Sequence, residues 1–295
     1  MDIMSINNKT RFLAIEGVDC SGKGSITDRI VKFGISDIPI KKVSFPVYDL
    51  PSGEMIKAYL NGNYGDYESI LSTIPTNITP VEWFSIVTSR YERLQKEIEF
   101  VMNLYANNRI EYFKTEIIDP NTIYLFDRFS YSNIIHQLAP LYDFLKNGPG
   151  AGKIQMEWRN DNIHERLPFI EFLNYYIDTL LENLKNAILD YEYYHDIPKA
   201  YTFMLTLRAD RILERLMQRK HSNHEGKDIM EREKPIRRTC EFIKDKIDFH
   251  RSNGIIDIDV SAFGEDNDKI AEFIIDTYTK AIENQIEPEN FRLVL

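Results

Sequence analysis

Gly17-Val18-Asp19-Cys20-Ser21-Gly22-Lys23-Gly24-Ser25 follows a short apolar run, Arg11 to Ile15 (RFLAI), and opens a segment of helical period, Ile26 to Phe33. A strand, a glycine-bearing turn, a lysine and a helix, in that order, form the setting in which backbone N–H groups wrap an anionic polyphosphate. Glycines let the chain curl so that successive N–H groups face one point, and the helix start adds partial positive charge. Lys23 adds a mobile cation suited to the β and γ phosphates. The pattern G-x-x-x-x-G-K-[ST] asks for a hydroxyl after the lysine; here Gly24 stands there and Ser25 comes next. The competing reading is an ordinary glycine-rich turn capping a helix. Strand, loop, lysine and helix agree on the phosphate site, so all nine residues are candidates for it.

Working outward, four further runs read as strands: Lys41 to Phe45, Thr122 to Phe126, Tyr201 to Leu207 and Ile255 to Val260. Between them, Val81 to Leu104, Phe169 to Tyr191, Arg211 to Gln218 and Lys269 to Ile282 carry apolar residues at helical spacing. Alternating strands and helices predict an α/β fold with a mostly parallel sheet covered on both faces. No internal repeat or low-complexity tract interrupts the pattern. Leu138 to Arg166 contains Gly148-Pro149-Gly150-Ala151-Gly152 and reads as an insertion or extended loop. It has too few apolar residues for a core of its own, which leaves residues 1–295 as one domain. Gly148 to Lys153 imitates a second phosphate loop. However, Asn147 stands where the first glycine belongs, no hydroxyl follows, and the preceding residues read as a helix.

The chain has 295 residues, with 36 Lys+Arg against 46 Asp+Glu and a formal net charge of −10. That balance lacks the basic footprint of a duplex nucleic acid or anionic lipid binder, so neither partner is expected. Two cysteines, Cys20 and Cys240, make neither a disulfide framework nor a cysteine-rich zinc site, which suits a reducing compartment. No apolar run approaches the roughly 18 residues that span a bilayer, and the polar start, MDIMSINNKT, lacks the apolar segment of a signal peptide. A cytoplasmic protein is expected.

Asp127-Arg128 stands directly after the third strand. In an open α/β sheet, ligands gather at the carboxyl ends of the strands, which places this pair beside Lys23. A carboxylate there can hold Mg²⁺ through its waters and an arginine can grip a second phosphate; a solvated ion pair is the alternative. Phe45-Pro46-Val47-Tyr48 follows the second strand at the same edge, where it can line a nucleoside pocket or simply pack the core. Arg90 lies in an apolar helical pattern, either snorkelling or reaching into a pocket. Arg211, Arg215 and Arg219 share one helix face at i, i+4, i+8 and lead into the polar stretch His221 to Gly226. This predicts a lid over residues 215–235 whose arginines close on phosphates, against the alternative of a solvated basic face. His221 and His224 read as surface residues.

Taken in order, these pieces resemble the thymidylate kinases, a branch of the P-loop nucleoside-monophosphate kinases. The matching stretches are FLAIEGVDCSGKGS, SFPVYDLPSGEMIKAYLNG, SRYERL, LFDRFSYSNIIHQ, DIPKAYTFMLTL and KDIMERE, spanning residues 11 to about 235. The resemblance implies a P-loop NTPase three-layer sandwich: a five-stranded parallel sheet with helices on both faces and a lid. It implies transfer of the γ-phosphoryl group of ATP to dTMP, with Mg²⁺ as cofactor and a homodimer as assembly. Lys23 and the loop would bind the ATP phosphates. Asp19 would reach the acceptor sugar, and Phe45, Pro46, Tyr48, Ile86 and Arg90 would line the acceptor pocket. Arg128 would hold the 5′-phosphate, with Ser132, Asn133 and Gln137 facing the base. Ser25 and Asp127 are the candidates for holding Mg²⁺ through water. In one arrangement of the family the catalytic arginine sits in the phosphate loop, and in the other on the lid. Cys20 occupies the loop position, so Arg219 is the first choice for that arginine and Arg215 the second.

Three departures bear on specificity. Gly24-Ser25 replaces the usual hydroxyl pair, although adenylate kinases also use Gly-Lys-Gly-Thr. Ile86 stands one turn before Arg90, where the family commonly carries an aromatic that stacks on thymine. Tyr48 replaces an arginine found in part of the family. Another deoxynucleoside monophosphate, a deoxynucleoside, or a non-catalytic nucleotide-binding module are the alternatives these departures leave open.

Overall fold

The computed structural model describes residues 11–61, 79–147, 163–222, 233–246 and 250–294, except for the side chains of some helical residues, Arg90 among them. Five strands form one sheet: β1 (Arg11–Gly17), β2 (Ile40–Ser44), β3 (Ile123–Asp127), β4 (Tyr201–Thr206) and β5 (Ile256–Asp259). All neighbours are parallel, in the order β2-β3-β1-β4-β5. All five runs expected from the sequence are strands, with ends moved by one or two residues. β1, β3 and β4 are buried almost without interruption, as strands covered on both faces must be.

Successive residues of a strand point to opposite faces, and the core divides accordingly. Leu13, Ile15 and Leu125 join one cluster with Ile26 and Ile30 of α1 (Lys23–Phe33) and Ile270 and Ile274 of α8 (Asn267–Glu283). Phe12, Ala14, Tyr124 and Phe126 join another with Ile110 and Phe113 of α3 (Pro80–Thr115). The fold is the α/β class expected. α3 begins with a capping box in which Thr79 and Glu82 satisfy each other's backbone N–H, and it runs 36 residues, past the Leu104 limit read from periodicity.

Two helices were not anticipated. α2 (Pro51–Leu60) follows the aromatic turn after β2. α7 (Glu233–Asp245) buries Ile236, Phe242 and Ile243, and it pairs Arg238 with Asp143. α4 (Ser130–Asn147) includes Leu138 to Asn147, so the first part of the stretch read as an insertion or extended loop is helix, as expected for the residues just before the Gly-Pro run, with Leu138, Ala139 and Leu141 buried. Residues 148–162, with the Gly-Pro run, lie outside the described residues, and α5 (Ile163–Tyr194) opens after them. α6 (Ala209–Ser222) carries the three arginines, and residues 223–232 of the expected lid lie outside the described residues.

Sheet register positions the site. Ile15 of β1 lies opposite Asp127 of β3, so the two chains leave the sheet side by side at the carboxyl edge. The backbone N–H of Arg128 donates to Ile15 O at 3.0 Å, and that of Phe45 to Asp127 O at 3.0 Å. Three loops, after β1, β2 and β3, are thereby laced together at one edge.

Candidate active site

The loop from Gly17 to Gly22 turns through residues with positive φ at Gly17 (140°), Cys20 (62°) and Gly22 (110°). At Gly17 a Cβ would stand 2.7 Å from Leu205 O, a backbone contact that excludes any side chain. Lys23 lies back over the loop and donates to Gly17 O at 2.9 Å and Val18 O at 2.8 Å. It is 5% exposed, and burial depresses its pKa, with Asp127 and Glu16 pulling the other way. Ser21 Oγ is buried with no hydrogen-bond partner, an orphaned polar atom of the kind a bound phosphate satisfies.

Asp127 stands against α1's first turn. A Cβ on Gly24 would lie 3.4 Å from Asp127 Oδ2. That is an ordinary contact distance, so glycine after the lysine leaves the carboxylate uncrowded but is not required by it. Burial raises the Asp127 pKa, while Lys23 and Lys42 oppose the shift. Lys42 itself bonds Asp28 at 2.6 Å and reaches Gly24 O at 3.5 Å. An oxygen ligand beside an uncrowded loop fits a magnesium ion held mainly through water. Among the described residues there is no cluster of three or more His, Cys, Asp or Glu that would form an all-protein metal cage. Ser25, on α1, is exposed.

Arg128 takes a positive φ of 69°. Its guanidinium pairs with Asp19 of the phosphate loop and lies 3.2 Å from His136 Nε2. Behind it, Glu16 is wholly buried and accepts from the N–H groups of Phe129 (3.0 Å), Tyr131 (2.9 Å) and Ser132 (3.0 Å), and from the Ser132 hydroxyl. A carboxylate at the end of β1 thus takes up the free N–H groups that open α4. Its desolvation raises its pKa, and these bonds oppose the shift.

A cleft of about 240 Å³ is lined by Asp19, Phe45, Pro46, Tyr48, Arg128, Ser132, Asn133, Gln137 and Arg219, together with Leu60, Tyr105, Arg109, Phe129 and His136; Lys23, Ser21, Ser25 and Asp127 are not among its lining residues. The first nine of these residues are sequence candidates that the fold brings together. The aromatic turn after β2, with its cis Phe45–Pro46 bond, is clamped by Asn108: Val47 N–H donates to Asn108 Oδ1 at 2.7 Å, and Asn108 Nδ2 to Val47 O at 3.0 Å. Asn133 spends its Nδ2 on Met102 O at 2.8 Å, leaving Oδ1 buried and unpartnered.

On α3 the cleft is lined by Tyr105 and Arg109, while the side chain of Arg90 lies outside the described residues. Arg90 precedes Arg109 by nineteen residues on the same helix, about 28 Å at 1.5 Å per residue, too far for both to serve one pocket. Ile86 is half-buried against the main core cluster. Arg109 is 1% exposed. It pairs with Glu192, which also accepts from Ser130, and donates to Phe129 O.

The α6 arginines reach the loop from the other side. Arg215 donates to Cys20 O at 3.3 Å and Ser21 O at 3.1 Å, and it pairs with Glu265 at 3.0 Å. Arg219 lies 3.8 Å from Cys20 Sγ and points to the cleft. Arg211 pairs with Glu214 and Glu265, on the outer surface.

No family model matches this sequence, and no curated protein sequence matches it. The likeness is one of fold. The chain is similar to the structure of a thymidylate kinase from Candida albicans, at a TM-score of 0.51 and 18% identity, over 94% of this chain and 93% of that one. That structure is described as revealing the origin of that enzyme's broad substrate specificity and a novel structural element. No helix among the described residues is long and apolar enough to cross a membrane.

Five cleft residues carry no role predicted from the sequence: Leu60, Tyr105, Arg109, Phe129 and His136. Glu16, just outside the cleft, had none either. A glutamate at the end of an apolar strand run is itself a signal, because a buried carboxylate must find donors. His136 carries no comparable mark.

Proposed function

We propose that this protein is a nucleoside-monophosphate kinase that transfers the γ-phosphoryl group of ATP to dTMP, giving dTDP. The observation that carries the reading is the juxtaposition of Lys23 in a phosphate loop with Arg128 at the neighbouring strand end. Lys23 lies over the loop after β1 and Arg128 lines the cleft after β3, so cationic groups for two phosphates stand at the ends of two paired strands. ATP with Mg²⁺ supplies the phosphoryl group and neutralises part of its charge when bound. The loop amides, Ser21 and Lys23 hold the donor phosphates, and Asp127 with Ser25 is the magnesium position, through water. Arg128 holds the acceptor phosphate, and Asp19 is freed to meet the sugar. Arg219 supplies the lid charge, with Arg215 bracing the loop. Tyr105, one turn before Arg109, supplies the stacking aromatic that Ile86 lacks, and Arg109 takes the place expected of Arg90. Phe45, Pro46 and Tyr48 close one wall. Ser132, Asn133 and Gln137 face the base, and the unpartnered Asn133 Oδ1 suits a donor such as a pyrimidine ring N–H.

No strong base is needed, because an acceptor phosphate oxygen is already anionic; catalysis is positioning and charge neutralisation. The reading includes a homodimer, which light scattering checks, and a cytoplasmic location. The deciding experiment is a coupled ADP-release assay with ATP and Mg²⁺ against dTMP, dUMP, dGMP, dCMP, dAMP and thymidine. Turnover fastest with dTMP is expected, and no turnover of any monophosphate sinks the reading.

A further inference from the structure

Arg128 is held from two sides by partners of different character. Nη2 pairs with the Asp19 carboxylate, while Nη1 lies 3.2 Å from His136 Nε2. A carboxylate competes with an arriving phosphate for the same positive charge, so Asp19 opposes the anion even as it orients the arginine. A neutral imidazole accepts a hydrogen bond and fixes a direction without cancelling charge.

His136 is built to stay neutral. It is 8% exposed, on the same face of α4 as Ser132 one turn earlier. Burial first, then Arg128 and Lys23, hold its pKa far below the usual histidine value. With Nε2 accepting from Arg128, the ring proton sits on Nδ1. The main chain of Arg128 is already fixed by its bond to Ile15 O and its positive φ. The tip of its long side chain is set by Asp19 at Nη2 and by the imidazole acceptor at Nη1.

We propose that His136 is a positioning residue for phosphoryl transfer: it accepts from Arg128 Nη1 and holds the guanidinium facing the cleft for the acceptor's phosphate. The assignment rests on the kinase reading above.

The test is steady-state kinetics with ATP, Mg²⁺ and dTMP on wild type, His136→Phe, His136→Gln, Arg128→Ala and the His136→Phe/Arg128→Ala double variant. Calorimetric dTMP binding replaces kinetics where turnover is too low. Phenylalanine keeps the bulk and removes the acceptor atom, whereas glutamine offers a carbonyl oxygen at similar reach. His136→Phe is expected to raise KM for dTMP about tenfold, the loss of one hydrogen bond to a charged group, with KM for ATP changed by less than about twofold. Glutamine recovers most of the loss, and the phenylalanine change adds nothing once Arg128 is gone. An unchanged KM for dTMP in His136→Phe overturns the proposal. So does a glutamine variant as impaired as the phenylalanine one, or an effect that persists in full without Arg128. His136→Leu, with the same expectation, replaces His136→Phe should that variant not fold. Failure of the kinase reading looks different: wild type then phosphorylates no monophosphate at all.

Discussion

Glu16 receives both the backbone N–H and the side-chain hydroxyl of Ser132, joining the end of β1 to the first turn of α4. The same carboxylate takes the N–H groups of Phe129 and Tyr131. Replacing it with alanine leaves four buried donors unsatisfied next to Arg128: the N–H groups of Phe129, Tyr131 and Ser132 and the Ser132 hydroxyl. Glu16→Ala is expected to lose about 3–5 kcal/mol of stability, the cost of breaking a buried charged network. Urea unfolding measures it. A loss below about 1 kcal/mol contradicts this account.

Arg219 and Arg215 separate by the same logic. Arg215 bonds two loop carbonyls and Glu265, so Arg215→Ala disturbs the loop itself, lowering the melting temperature and raising KM for ATP. Arg219 is more exposed and lies over Cys20 at the cleft. Arg219→Ala is expected to lower kcat about a thousandfold, as for an arginine that stabilises transferring charge, with the melting temperature unchanged. The opposite pattern, with kcat carried by Arg215, reverses the assignment.

On α3, Tyr105→Ala is expected to raise KM for dTMP about tenfold or more, as loss of an aromatic base contact. Arg90→Ala leaves it unchanged. Acceptor kinetics on the two variants decide, and a selective effect of Arg90→Ala returns the pocket to the earlier turn of the helix.

That pair also marks where the sequence stops being readable. The strands, the phosphate loop and Asp127-Arg128 are local patterns: burial period, turn chemistry and a strand end each fit within a few residues. Eight acceptor-pocket candidates share the cleft: Asp19, Phe45, Pro46, Tyr48 and Arg128 follow strand ends, and Ser132, Asn133 and Gln137 lie on α4, the helix that opens just after β3. A 36-residue helix offers the same face every third or fourth residue, and only packing against α4 and α5 selects the turn that meets the cleft. Periodicity therefore identified the helix and left its working turn open. α7 was missed because most of its residues are charged or polar; its buried stripe of Ile236, Thr239, Phe242 and Ile243 shows only once α4 is beside it.

The sheet's far edge carries a pH signature of its own. The Asp257 side chain on β5 is 8% exposed, and both its oxygens lack a hydrogen bond; Arg251 lies 3.6 Å away, beyond bonding distance. Burial pushes its pKa from 3.8 up to about 6, with Arg251 opposing. A carboxyl raised on folding favours the neutral form, so the fold carries no penalty below the unfolded value. The penalty sets in as pH rises from 3.8 and is complete above about 6. Asp257→Asn keeps the shape without the charge and is expected to stabilise the protein by about 2–3 kcal/mol at pH 8, with the gain vanishing below about pH 4. His250 runs the other way: burial first, then Lys185, lowers its pKa from 6.5 to about 4, so its contribution is lost as pH falls through that window. Wild type alone would blend the two. The difference between wild type and Asp257→Asn, taken from urea unfolding at each pH, cancels the histidine, and a difference that does not grow between pH 4 and pH 6 refutes the burial account of Asp257.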